Sequence, residues 1–160
     1  MSADHKYHIL YAYSSYKPVH HTITPLIALT MIQHVHPVWY VIYYVVEFVA
    51  LGLKRNDAAY NTAFNIYGWS CSAAVCMALL ELLRWPLARH AASTRNINML
   101  MWYIIECVIL LVGYIYFAAY QPKVYEQEYV MNAIAIAVTV AEALLAIVCV
   151  AGLLRDRTLK

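Results

Sequence analysis

The chain has 160 residues, of which 64% are hydrophobic and 12% charged, with a mean hydropathy of +0.59. Soluble domains carry about 45–50% apolar and about 25% charged residues, so this is the composition of a membrane protein, and its length allows one domain. A net charge of +2, scattered along the chain, excludes a nucleic-acid binder, and no phosphate loop, glycine-rich fingerprint or Ser-His-Asp grouping is present.

Residues 1–24 ("MSADHKYHILYAYSSYKPVHHTIT") form a Tyr/His-rich, amphipathic amino-terminal arm. It lacks the apolar core of about 7–15 residues that a cleavable signal requires. It also lacks the arginines of a mitochondrial presequence, the first being Arg55. Tyr7, Tyr11, Tyr13 and Tyr16 suit it to docking against a protein surface, where aromatic residues are enriched.

Four apolar runs follow, at about 25–53, 60–84, 97–120 and 129–154. Each has the ~20 residues a helix needs to cross a ~30 Å hydrocarbon layer, and none alternates as a barrel strand would. The expected fold is an all-α integral membrane protein, a bundle of four transmembrane helices. The first run contains "HVHPVWY", where Pro37 predicts a kink or break with His34 and His36 before it. In the second, Pro86 is expected to end the helix just after Arg84. Residues 155–160 are left as a short basic tail.

An even number of spans puts both termini on one face. That face collects Lys6, Lys17, Arg84, Arg89, Arg95, Arg155, Arg157 and Lys160, against Lys54, Arg55 and Lys123 opposite. By the positive-inside rule, both termini lie inside. Trp85, Trp102, Tyr60, Tyr120, Tyr125 and Tyr129 fall near span ends, where amphipathic rings favour the membrane interface.

Every span carries one acid: Glu47, Glu81, Glu106 and Glu142. Each costs roughly 2.5–3.5 kcal/mol near a bilayer centre, which makes an intramembrane acid a functional hypothesis by default. A carboxylate-bridged di-iron site needs Glu-x-x-His on two helices. Here the positions three beyond the acids are Ala50, Arg84, Ile109 and Leu145, so no metal site is expected. A haem lacks a second axial histidine in the other spans. Cys71, Cys76, Cys107 and Cys149 match no zinc spacing and read as small apolar fillers. A proton path through Glu106 and Glu142 is the rival from another class. The simpler reading is structural: the acids bond across helices and fix register. Glu81 and Arg84, three apart on one helix face, are expected to pair while Arg84 snorkels to the inner interface. No catalytic residue and no cofactor are therefore expected. Gly68 and Ser72 in the second span, and Ala133, Ala137 and Ala141 in the fourth, form small-xxx-small ridges for helix packing. Arg84, Arg89 and Arg95 are the candidate contacts to anionic lipid headgroups.

The stretch "LLELLRWPLARHAASTRN" carries a family resemblance. With "PLIALTMIQHVHPVWYVIYYVVEFVALGLKR" before it and "EYVMNAIAIAVTVAEALLAIVCVAGLLR" after it, the chain resembles the transmembrane-17, -80 and -216 family of small four-span proteins over roughly residues 25–155. The resemblance places Glu81 and Arg84 on that family's Glu-x-x-Arg at the end of its second span. Asn96 takes the family's Asn after a longer turn. It implies a non-enzymatic scaffold whose partners are other integral membrane proteins and membrane lipids, at the ciliary transition zone. An accessory, supernumerary subunit of a respiratory or ATP-synthase complex in the mitochondrial inner membrane is the alternative that size and composition allow.

Overall fold

The computed structural model describes residues 20–57, 60 and 66–158. Residues 1–19 of the arm expected at 1–24, with its four tyrosines, lie outside the described residues. Four long helices make up the fold: α1 (His20–Lys54), α2 (Ile66–Thr94), α3 (Ile97–Ile115), which continues into a π-helical turn at Tyr116–Tyr120, and α4 (Glu126–Thr158). Each is long and apolar enough to cross a membrane. His20–Thr24 thus belong to the first helix rather than to the arm, and Arg155–Thr158 extend the last one.

The helices pack in a ring, α1 on α2, α2 on α3, α3 on α4 and α4 back on α1, with α3 against α4 the most extensive pair. A heptad repeat written in unusual letters explains the arrangement. The buried positions of α1 are Leu26, Leu29, Gln33, His36, Tyr43, Glu47, Ala50 and Lys54, with half-buried Tyr40 completing the series. Those of α2 are Ser70, Ala74, Met77, Glu81, Arg84, Ala88 and Ala91. In α3 they are Leu100, Tyr103, Cys107, Leu110 and Tyr114, and in α4 Glu128, Asn132, Ala135, Thr139, Glu142, Ala146, Cys149 and Leu153. Leu51 of α1 and Val150 of α4 are buried beside this series, whose steps alternate three and four, the ~3.5-residue period of antiparallel bundles with knobs-into-holes packing. The outward positions are the large apolar ones, such as Val41, Leu82, Val112 and Leu144, as lipid-facing surfaces require.

Prolines do not interrupt the helices. Pro25 and Pro37 both lie within α1, which runs through Pro37 without a break. Pro86 does not end α2, contrary to the sequence expectation. A mid-helix proline forfeits one backbone hydrogen bond and costs about 3 kcal/mol. Here Ala88 and Ala91, beyond the proline, are buried against Leu100 and Tyr103, and that packing holds the helix together to Thr94. Arg95 then turns the chain with φ of 51°, and the Asn96 amide donates to the Ala91 carbonyl at 3.2 Å, a Schellman closure. The Asn96 side chain caps α3 by accepting from the amides of Asn98 (3.0 Å) and Met99 (3.4 Å).

Two apolar layers fill the bundle. One, at the α2–α3 turn, gathers Leu26, Leu29, Ala88, Ala91, Leu100 and Ala146; the other, towards the opposite loops, gathers Tyr43, Leu51, Met77, Leu110, Tyr114 and Phe117. Where Met77 crosses α3, a Cβ on Gly113 would fall on the Met77 thioether, whose flexible end would have to turn aside.

Candidate functional site: a buried polar belt

Between the two apolar layers, all four helices send polar side chains to the bundle centre. Glu142 of α4 is fully buried and accepts from Gln33 Nε2 of α1 (3.1 Å) and the Tyr103 hydroxyl of α3 (3.0 Å). It also contacts His36 Nδ1 of α1 and Arg84 Nη2 of α2. Arg84 reaches its own helix neighbour Glu81 as well, Nη1 to Oε1 at 3.2 Å, and Glu81 accepts from the Tyr114 hydroxyl at 2.7 Å. The Gln33 amide also donates to the Tyr103 hydroxyl at 2.6 Å. Flat rings enclose the guanidinium, whose carbon lies 5.3 Å from the Tyr103 ring centre and 5.9 Å from that of Tyr40. Cation–π attraction of this kind strengthens when the site is dry.

The belt ties the diagonals of the ring. Helices packed only on their neighbours could slide or splay as pairs. Arg84 to Glu142 joins α2 to α4, and Gln33 to Tyr103 joins α1 to α3. An ion pair buried among apolar layers is expensive to break, because removing one partner strands the other charge. Chemically, the arrangement can hold register.

The pairing of Glu81 with Arg84 agrees with the sequence expectation, but the snorkelling does not. Arg84 is 1% exposed and points into the bundle, so it does not reach the membrane interface where anionic headgroups lie. Its second carboxylate partner, Glu142, is what draws it inward. Arg89 and Arg95, by contrast, are exposed at the turn end. Glu106 is half-buried, and its Oε2 has no hydrogen-bond partner. It takes no part in the hydrogen bonds that hold Glu142. The ridge of Ala133, Ala137 and Ala141 faces outward, as does Ser72, while Gly68 is half-buried. Ala135, Thr139, Glu142 and Ala146 form the inner face instead. The four cysteines are free, Cys107 and Cys149 buried, Cys71 half-buried and Cys76 exposed. Among the described residues no group of three or more His, Cys, Asp or Glu is arranged to hold a metal ion. His34 is exposed, with Nδ1 2.7 Å from the Thr30 carbonyl.

A second polar cluster closes the loop end, and sequence reasoning missed it. Lys54, at the last turn of α1, is fully buried, with Nζ donating to Glu128 Oε1 (2.5 Å) and Gln121 Oε1 (2.7 Å). The Tyr60 and Tyr125 rings lie 5.6 and 5.5 Å from that ammonium. Glu128 also caps the start of α4, accepting from the Tyr125 amide at 2.7 Å. The Tyr60 hydroxyl donates to the Lys123 carbonyl at 2.9 Å, and the residue is buried rather than anchored at a lipid interface. Burial pushes the Tyr60 phenol above its ordinary pKa. On the surface of the same end, the hydrogen bond to Asp57 (2.7 Å) raises the Lys123 ammonium. Glu47 is buried next along α1, and Tyr43 donates to Asn132 at 2.7 Å. Trp85 lies within α2 rather than at a span end.

Residues 31–139 match the model of the transmembrane-17 family, described as a predicted membrane protein. The chain belongs to this family. The match covers the belt residues Gln33, His36, Glu81, Arg84 and Tyr103 but ends before Glu142. No curated protein and no solved structure matches the chain.

Proposed function

We propose that the protein is a non-catalytic structural subunit of a larger membrane complex, presenting one helix face to a partner. The observation that carries this reading is the outward placement of Ala133, Ala137 and Ala141 along α4. Small residues four apart on an outer face let a second transmembrane helix approach closely, where van der Waals packing drives association. The fate of the acids supports a non-enzymatic role. Glu81, Glu128 and Glu142 are bound by side chains of their own bundle, in bonds that join α2 to α3, α1 to α4 and α3 to α4. The family resemblance suggests the ciliary transition zone as the address, with the mitochondrial inner membrane as the alternative.

Affinity purification in mild detergent after cross-linking tests the reading. Co-purifying membrane proteins are expected from wild type and should be lost from Ala137→Trp, while the thermal stability of the isolated chain stays unchanged. Equal recovery from both forms would refute it. So would proton flux in reconstituted liposomes that disappears in Glu106→Gln with Glu142→Gln. A fluorescent fusion in the source cell decides between the two membranes.

A further inference from the structure

A groove of about 660 Å³ runs between α1 and α2 on the lipid-facing side of the bundle. One end is polar, and the rest is apolar apart from the Tyr40 and Tyr44 hydroxyls, which also have no hydrogen-bond partner. At the polar end His36 and Arg84 line the groove, each with a nitrogen that has no hydrogen-bond partner: Nε2 of His36 and Nε of Arg84. Both side chains are more than nine-tenths buried, His36 being 4% exposed. His36 turns Nδ1 towards Glu142, which leaves Nε2 on the far edge of the ring. From there the α1 wall is a ladder of rings one turn apart. His36 stacks on Tyr40 with centres 3.9 Å apart, followed by Tyr44 and Phe48 at 6.2 Å intervals. From His36 to Phe48 the wall is ~18 Å long at ~1.5 Å per residue, close to the ~15 Å depth of one leaflet.

We propose that this groove is a binding site for a neutral sterol, its hydroxyl seated between His36 and Arg84 and its ring system lying along Tyr40, Tyr44 and Phe48. The charge count selects a neutral head. Two carboxylates, Glu81 and Glu142, already face one guanidinium, so an anionic headgroup would add a third negative charge to the same dry site. The hydrogen-bond inventory selects a hydroxyl. Arg84 Nε can only donate, and His36 Nε2 accepts when the ring is neutral because Nδ1 keeps its proton for Glu142. A hydroxyl accepts from the first and donates to the second; a ketone or ester oxygen serves only the first. The ladder of aromatic rings, each tilted 31–36° to the next, selects a rigid ring system. A flexible acyl chain laid along it would lose rotamer freedom at each bond, whereas fused rings have none to lose.

Binding of tritiated cholesterol to the purified full chain in detergent tests the proposal, with unlabelled lipids as competitors. Saturable binding at one sterol per chain is expected, displaced by cholesterol. Its 3-O-methyl ether, oleic acid and dioleoylglycerol should compete at least tenfold more weakly. Val45→Trp, which fills the groove from its exposed α1 wall, should weaken binding at least tenfold at unchanged thermal stability. Ala78→Phe narrows the same groove from α2 and serves the same purpose if Val45→Trp does not fold. Non-saturable uptake, displacement by oleic acid or dioleoylglycerol as readily as by cholesterol, or undiminished binding to the filled groove would overturn the assignment.

Discussion

Replacing Arg84 by methionine should be among the most damaging single changes in the chain. The side chain is 1% exposed and lies between two carboxylates, Glu81 on its own helix and Glu142 on the helix diagonally opposite. Methionine fills most of the volume but leaves both acids without a cation. Removing one partner from a buried pair costs about 3–5 kcal/mol, and Arg84 is the partner of two, which places the loss near the upper end. Protonation of a stranded carboxyl limits the damage, so about 4–5 kcal/mol is the expected total. For a domain of this length that corresponds to ~10 °C or more in the unfolding midpoint. Arg84→Lys retains the charge but cannot fork between two acids, and it should lose about 1.5–3 kcal/mol, the value of one hydrogen bond to a charged group. The decisive variant is Arg84→Met combined with Glu142→Gln. If stranded charge is the cause, the second change recovers part of the first, with a coupling of about 0.5–3 kcal/mol. Thermal unfolding of the four proteins in one detergent, followed by circular dichroism, measures this. A single mutant within 0.5 kcal/mol of wild type, or losses that simply add, would refute a bridging role.

Lys54→Met should destabilise by about 3–5 kcal/mol by stranding the buried Glu128, and Lys54→Met with Glu128→Gln should recover part of it in the same unfolding assay. Gly113→Ala should stay within about 1 kcal/mol of wild type in the same assay, because the flexible Met77 thioether can turn aside and alanine gains helix propensity over glycine. At the turn, Asn96→Ala removes the cap of α3 and should cost about 1 kcal/mol. Arg95→Gly should instead raise stability by about 0.5–1 kcal/mol, because φ of 51° strains any residue with a Cβ. Opposite signs for these adjacent substitutions check the turn geometry directly.

The spans were legible because length and hydropathy alone decide them, and the structure returns four helices long and apolar enough to cross a membrane. Which face of each helix turns inward was not legible by the usual rule. In water, the apolar stripe faces the core. Here the background is apolar, so the inner stripe is marked by what differs from it: Gln33, His36, Tyr40, Tyr43, Glu47 and Lys54 along α1, stepping by three and four to Glu47 and then by a full heptad across Ala50. A search for the most polar seven-residue repeat would have found the belt. It would also have placed Asn132, Thr139 and Glu142 on the inner face of α4. The ridge at Ala133, Ala137 and Ala141 has a period of four, which drifts off a 3.5-residue seam and leads to the outer surface. Pro86 misled for a related reason. Its local penalty is real, but the alanines beyond it are core residues, and tertiary packing outweighs one missing hydrogen bond.

The position of the belt explains why the bundle tolerates buried charge at all. Lipid offers helices no hydrophobic reason to associate, because the tails are as apolar as the side chains they would replace. In the bundle, Arg84 finds two carboxylates and two aromatic faces, and Glu142 finds donors from three helices. Separated helices would have to bury the same groups in lipid with fewer partners, or draw water to them. The acids therefore favour association by making the separated state worse. Sliding α4 by one turn, ~5.4 Å, would carry Glu142 beyond hydrogen-bonding reach of Gln33, Tyr103 and Arg84 together. One register gives Glu142 all of these donors at once, and its neighbours give it few. That difference specifies a single packing on helices whose outer faces, rich in Val, Leu and Ile, carry little information of their own.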